Sequence, residues 1–416
     1  MKRTNRILPV YAADISGVCS ALYELGGMTV MHDASGCNST YTTHDEPRWY
    51  SMDSMVYISA LSELEAVMGD DGKLVRDIMD AAANLHPRFI CMGGTPIPMM
   101  MGTDFKGIAR MIERQTGIPT FGIPTNGMHS YVQGAGEALR WIVRRFCPPG
   151  EELKRSGKRG DGALKVNILG ATPLDFSLTG NIARMKHFLT SQGMEIVSCW
   201  AMESSLDQLM DAGQADVNLA VSGVGLPAAR ELRQMYGTPC VVGTPIGRGT
   251  ALALAELVRK AAETGEDMSL LAPEVSGLPA DLGISGLPPD LGISGLPADL
   301  GISGLPADLS GERVLIIGEQ VIAGSLRCSL RRDLRADQVR VLCPMEEGRE
   351  LAEDGDLLTW DEDEVTEQIN RSTVVIGDPL YRQVYAGGRG TVFVDFPHEA
   401  CSGRMYHGQM KPFIYD

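Results

Sequence analysis

The sequence predicts an α/β protein of three Rossmann-like parallel-sheet domains, on two observations. Apolar runs of strand length alternate with amphipathic stretches of helix length along most of the chain, the pattern of parallel strands covered by helices on both faces. Two breaker-rich segments, 148–162 and 276–309, cut that alternation into three blocks. A chain of 416 residues has room for roughly two to four ordinary domains.

The first block, 1–150, has strand runs over 28–32, 88–92 and 119–122 and helical stretches over 62–85, 104–116 and 134–146. The middle block, 163–266, is the most regular. Strands are expected at 165–170, 195–200, 217–222 and 239–243, with helices at 180–191, 205–212, 227–236 and 250–264 between them. The third block, 311–416, repeats the theme. Its strands are expected at 313–318, 338–343, 373–377 and 391–396, and its helices at 322–334 and 363–371. Between the last two blocks, 267–310 reads as a linker with an insert. It carries SGLPADLGI, SGLPPDLGI, SGLPADLGI and SGLPADL in tandem. One or two prolines and two glycines per full unit predict an exposed, semi-extended insert with no catalytic role.

Composition narrows function. Apolar residues are 44% and charged residues 22%, values of a globular protein that buries real cores. The net charge of −16 argues against nucleic acid and anionic membranes as partners, because both need a basic surface. No apolar window reaches membrane-spanning length, and the N-terminal stretch lacks the apolar core of a signal peptide. The cytoplasm is the expected compartment, where the nine cysteines stay reduced and serve as core, metal or catalytic thiols.

Three cysteines stand in positions where α/β domains bind ligands. Cys91, in RFICMGGTP, is expected to end a strand before a Gly-Gly-Thr-Pro turn. Cys37, in MHDASGCNST, follows a strand and a glycine. Cys19, in DISGVCSALYEL, is expected to open a helix, whose N-terminus favours a thiolate. Thiolates are the usual protein ligands of iron–sulfur clusters. There is no CxxC pair, so spacing alone leaves open whether these three are ligands or buried core thiols. Cys147, Cys199, Cys240, Cys328 and Cys343 lie within or at the end of helix and strand patterns and are expected in cores. Cys401, in HEACSGRMYHG, lies with His398 and His407 in a polar C-terminal loop and is a candidate for a second metal or substrate site, or for proton donation. PMMM at 98–101 reads as core filler or a cluster shield, and HDEPRWY at 44–50 as a solvated loop or a partner contact.

The first block resembles the nitrogenase component 1 family, which includes dark protochlorophyllide reductase and nickel-tetrapyrrole reductase relatives. The resemblance rests on Cys19, on His32 with Gly36 and Cys37, on Cys91 followed by Gly102, Thr103 and Asp104, and on the stretch 118–139. It implies three Rossmann-like domains around a central cleft. It implies an iron–sulfur cluster ([4Fe-4S] or P-cluster-like) on Cys19, Cys37 and Cys91 at a subunit interface. The implied partners are a second copy or a sister component 1-like subunit, in a dimer or heterotetramer, and an ATP-dependent iron protein as electron donor. The chain has no GxxxxGK[ST] and is not expected to hydrolyse ATP itself. Ser222 stands where the family's molybdenum subunits carry a cofactor-anchoring cysteine, whereas His398 matches their anchoring histidine. A bona fide molybdenum nitrogenase is therefore not expected. The leading expectation is a nitrogenase-like oxidoreductase subunit reducing a small molecule at His398, Cys401 and His407, with a possible second metal centre in the cleft. A scaffold for metallocofactor assembly is the alternative, and a binding protein with metal-free core thiols a third.

Overall fold

The computed structural model describes residues 5–36, 41, 45–149, 162–272, 300, 302–345, 348–388 and 390–416. Cys37, His44 and most of the tandem repeats lie outside the described residues.

The first sheet has the order β2-β1-β3-β4, all parallel, from β1 (Met28–His32), β2 (Met55–Ile58), β3 (Ile90–Gly94) and β4 (Thr120–Ile123). Its helices are α1 (Asp14–Leu22), α2 (Glu63–Met68), α3 (Gly72–Leu85), α4 (Pro96–Met101), α5 (Phe105–Thr116) and α6 (Tyr131–Phe146). The helix expected over 62–85 is two helices, because Gly69 takes a left-handed conformation (φ 64°) that ends α2. The edge strand β2 has no counterpart in the sequence reading. It is short and only partly buried, so it shows no apolar run.

The middle sheet has the order β6-β5-β7-β8-β9, from β5 (Leu164–Leu169), β6 (Met194–Cys199), β7 (Val217–Ala220), β8 (Cys240–Val242) and β9 (Met268–Ser269). It is covered by α7 (Pro173–Phe176), α8 (Asn181–Ser191), α9 (Leu206–Met210), α10 (Leu226–Tyr236) and α11 (Arg248–Thr264). The third sheet has the order β12-β11-β10-β13-β14, from β10 (Arg313–Ile317), β11 (Gln338–Cys343), β12 (Leu357–Leu358), β13 (Val374–Gly377) and β14 (Val392–Asp395). With it go α12 (Gln320–Leu334), α13 (Glu362–Arg371) and α14 (Glu399–Ser402). All pairings within these sheets are parallel, as the alternation predicts.

The cores join the sheets. One cluster runs from Ile168, Leu219 and Val241 of the middle sheet into Ile316, Val341 and Ile376 of the third. Another joins Phe121 and Leu139 of the first block to Leu169, Trp200 and Leu232 of the middle one. The end of the repeat insert belongs to the first of these clusters. Leu300 and Leu309 are fully buried there, so this part of the insert is anchored and not simply exposed.

In each sheet the strand order reverses beside the first strand. The crevices so formed open at the carboxyl ends of β1 and β3, of β5 and β7, and of β10 and β13. Ligands of open α/β sheets bind at such switch points.

Candidate functional site

The switch points of the middle and third sheets face each other. Gly170 follows β5, and Ser222 follows β7 by two residues. Ser222 is fully buried, and its Oγ donates to the Gly170 carbonyl at 2.8 Å. Gly170 has φ +87°, and a Cβ there would press on Gly225 N, so the turn requires glycine. From the third sheet comes Glu319, two residues past β10. Its carboxylate accepts from Val321 N and Ile322 N at the start of α12, and from Gly223 N of the middle domain at 3.0 Å. The cap therefore also ties two domains together. Burial, and then the negative charge of Asp175, push the Glu319 carboxyl up to about 7.

Asp175 in α7 is the hub. Its Oδ1 accepts a short hydrogen bond from the hydroxyl of Tyr131, the first residue of α6, and lies 3.4 Å from His398 Nε2. The Tyr131 hydroxyl is 3.5 Å from that same nitrogen. One residue from each domain thus meets at a single carboxylate oxygen. Asp175 Oδ2 and His398 Nδ1 are buried without a hydrogen-bond partner. The Tyr11 ring stands edge-on to His398 at 5.4 Å, and the His398 backbone N–H donates to Asp378 Oδ2 at 2.9 Å. A cavity of about 460 Å³ is lined by Asp175, Pro397, Glu399, Arg382, Asp395 and Lys411, and not by His398 itself.

The expected trio of His398, Cys401 and His407 does not converge. Cys401 lies in α14, not in a loop, and its thiol hydrogen-bonds to Asp378. Burial and then the Asp378 charge push that thiol well up, so it is no ready nucleophile. His407 is half-exposed and turns Nδ1 to Glu399 Oε2 at 3.2 Å. Among the described residues no three His, Cys, Asp or Glu side chains are grouped to hold a metal.

The thiols of the first block also depart from expectation. Cys19 does not open a helix. It is the sixth residue of α1, because Asp14 starts the helix, and it packs against Ile15, Tyr23, Met31, Tyr41 and Val56. Cys91 does not end a strand. It is the second residue of β3, level with Thr29, and packs with Phe89, Phe121 and Ile142, because β3 continues through Gly93 and Gly94. It therefore lies three residues, roughly 10 Å, below the carboxyl end of β3. Both thiols are fully buried and pushed up by burial, and the charges felt by Cys19 are anionic, from Cys91, Glu46 and Asp45. The other thiols behave as core. Cys147 and Cys328 donate to the carbonyls of Leu209 and Leu270.

Two further motifs differ from their reading. HDEPRWY holds a buried ion network, with Arg48 bound to Glu46 and to Glu24, each at 2.7 Å. In the PMMM run Pro98 is buried, whereas Met99 and Met100 are exposed on α4 and are not core. Sequence reasoning missed Tyr131, Asp175 and Glu319. Only Glu319 left a signal, an acid opening a helix directly after a strand and glycine.

Comparison with known proteins agrees with this architecture. The family model described as nitrogenase component 1 type oxidoreductase matches residues 17–275. The nitrogenase iron-molybdenum cofactor biosynthesis protein NifE of Methanosarcina barkeri is 24% identical over 235 residues, 52% of this chain and 49% of that protein. A light-independent protochlorophyllide reductase subunit from Nostoc punctiforme is 24% identical over 197 residues, 46% of this chain and 38% of that protein. The chain thus spans about half the length, or less, of these curated relatives. A solved structure of nitrogenase Cp1 at pH 6.5 shares the fold, with a TM-score of 0.63 at 16% identity over 98% of this chain and 90% of that one. With well over half of its residues matched, the chain belongs to the nitrogenase component 1 type oxidoreductase family.

Proposed function

We propose that this chain is a nitrogenase-like oxidoreductase subunit whose working centre is His398, at the junction of the three domains. There a small molecule accepts electrons supplied by partner subunits and protons held by the chain. One observation carries the reading: residues from all three domains converge on Asp175 Oδ1, at facing switch points, beside a buried histidine nitrogen that has no partner. A junction of this kind orients proton donors. In this reading His398 and Tyr131 contact the guest and hold its proton. Cys401 and His407 stay outside the chemistry. The proposed partners are a sister or second component 1-like subunit and an ATP-dependent iron protein. An apolar patch supports a protein partner. Leu64, Val67 and Met68 of α2 and Met99 and Met100 of α4 are exposed, within a rim of exposed Glu63, Asp70 and Asp104 that suits a basic surface.

The alternative, a scaffold for metallocofactor assembly, is favoured by Ser222, whose hydroxyl is already engaged by Gly170, and by the likeness to NifE. One experiment separates the two readings. The chain is purified anaerobically with its neighbouring gene products, assayed for iron and acid-labile sulfide, and then given ATP and a low-potential reductant. Hydrogen evolution is followed, protons being the acceptor always present. Evolution that His398→Ala abolishes supports the reductase. No electron uptake under any condition, with iron bound and passed on, leaves the scaffold. Iron lost in a Cys19→Ala, Cys91→Ala variant supports a cluster held on Cys19, Cys37 and Cys91; iron retained there returns those thiols to the core.

A further inference from the structure

Two leucines of the repeat insert, Leu300 and Leu309, are fully buried. They stand nine residues apart, one period of the repeat, and so hold the same place in successive units, the leucine of Ala-Asp-Leu. Each has its own slot along α12. Leu300 lies against Gly247 at the start of α11. A Cβ on that glycine would stand 2.7 Å from Leu300 Cδ2 and close to Ser329 and Asp333 of α12. Leu309 donates its backbone N–H to the carbonyl of Leu334, the last residue of α12, at 2.9 Å. Between the slots, Ile302 and Leu305 pack on the same core. Ile302, Ser303 and Gly304 form one wall of the cavity of about 460 Å³, and Lys411 Nζ donates to Ser303 Oγ at 3.1 Å. The chain carries more such leucines than these two slots hold. Leu282 and Leu291 have the same place in the first two units, and Ile-Ser-Gly recurs at 284–286 and 293–295. The full units differ only in Pro289, which corresponds to Ala307 of the last unit, an exposed position. The contacts in the slots therefore do not tell one unit from another.

We infer that the crevice along α12 is a binding site for the repeat unit as such, a peptide anchored by leucines one period apart, and that any two successive units of this chain fill it. Three registers follow: Leu300 with Leu309, Leu291 with Leu300, and Leu282 with Leu291. Reach does not forbid the slipped ones. Leu271, ahead of the repeats, packs on Gly324 of α12, and Leu300 lies by Asp333 of the same helix. Those two points are about 14 Å apart along the helix. Residues 272–281, drawn out, span roughly 30 Å. A slip by one unit exchanges like for like in both slots and returns the same Ile-Ser-Gly to the cavity wall. What moves is slack. One period of chain passes from the middle-domain side of the site to the β10 side, at a small loop-closure cost. The observed register is favoured by contacts peculiar to the last unit, Ser310 Oγ with Asp308 and Gly311 N with Asp337. The repeats thus let the tether of the third domain lengthen while the cavity keeps its wall.

A mutant cycle in the full chain tests this, with urea midpoints followed by tryptophan fluorescence. An aspartate in either slot is a buried, unpaired charge, so it closes every register that would place it there. Leu309→Asp closes only the observed register. Leu291→Asp closes only the two slipped ones and should leave the midpoint of the wild type. Leu291→Asp with Leu309→Asp closes all three. Leu309→Asp alone is expected to lower the midpoint by less than half of the fall seen in the double variant, because the chain slips by one unit and fills both slots again. A double variant that fails to fold while Leu309→Asp folds has the same meaning. The inference is overturned if Leu309→Asp falls as far as the double variant, or does not fold, for then the last two units alone fit the slots. It is also overturned if Leu291→Asp by itself lowers the midpoint, which would give that leucine a fixed place of its own. Midpoints that none of the variants moves would overturn it too, since the slots would then hold nothing.

Discussion

Glu319 carries two demands at once. As a helix cap it binds three backbone N–H groups, which favour the carboxylate, yet it is buried beside Asp175, and burial dominates. A carboxyl raised from 4.5 to about 7 on folding takes up a proton from the solvent. Its contribution is fully present below the unfolded value and is lost as pH rises through about 7. Stability should therefore fall between pH 5 and 8, by up to about 3 kcal/mol. Glu319→Gln should flatten that fall in urea titrations at the two pH values. An unchanged slope would mean that Glu319 is ionised throughout. Among single residues, those with a signature in the sequence were the histidines and cysteines. Asp175 had none, because an aspartate in ATPLDF looks like any loop acid until the fold sets Tyr131 and His398 against it.

At the scale of elements, the crossing of α1 and α6 places Tyr131. A Cβ on Gly134 would overlap the Asp14 carbonyl, and one on Gly17 the Tyr131 carbonyl, so both glycines let the backbones touch. Gly134→Ala should push the helices apart, cost about 1–3 kcal/mol by overpacking, and draw the Tyr131 hydroxyl off Asp175. The denaturation midpoint measures the first effect and tyrosine fluorescence near the site the second. A variant with wild-type stability would mean that the helices part without strain. Interior strands and amphipathic helices were legible within a few residues, because burial on both faces writes long apolar runs. The two-residue edge strands β9 and β12 were not, since a pair of residues carries no period. The same limit misplaced Cys91. The apolar run RFIC ends at the cysteine, but the strand continues through two glycines that periodicity does not count.

At the scale of the molecule, α2 and α4 leave an apolar patch that nothing among the described residues covers. Helix α2 has no buried residue at all. Leu64→Glu with Met100→Glu should leave thermal stability within about 0.5 kcal/mol, as exposed changes do. It should also abolish association with the partner subunits, read by sedimentation. Undiminished association would place the interface elsewhere. Among the described residues no helix is long and apolar enough to cross a membrane.

From the sequence by itself came the class of fold, the three blocks and the family resemblance, for these live in periodicity and in motif order, which are properties of the chain. His398 was singled out on the same grounds. What only the tertiary structure decided is which side chains meet. Asp175, Tyr131 and Glu319 come from different domains and acquire their chemistry from burial and from one another. Cys19 and Cys91 lose their expected place for the same reason. The fold sets one within α1 and the other within β3, both buried.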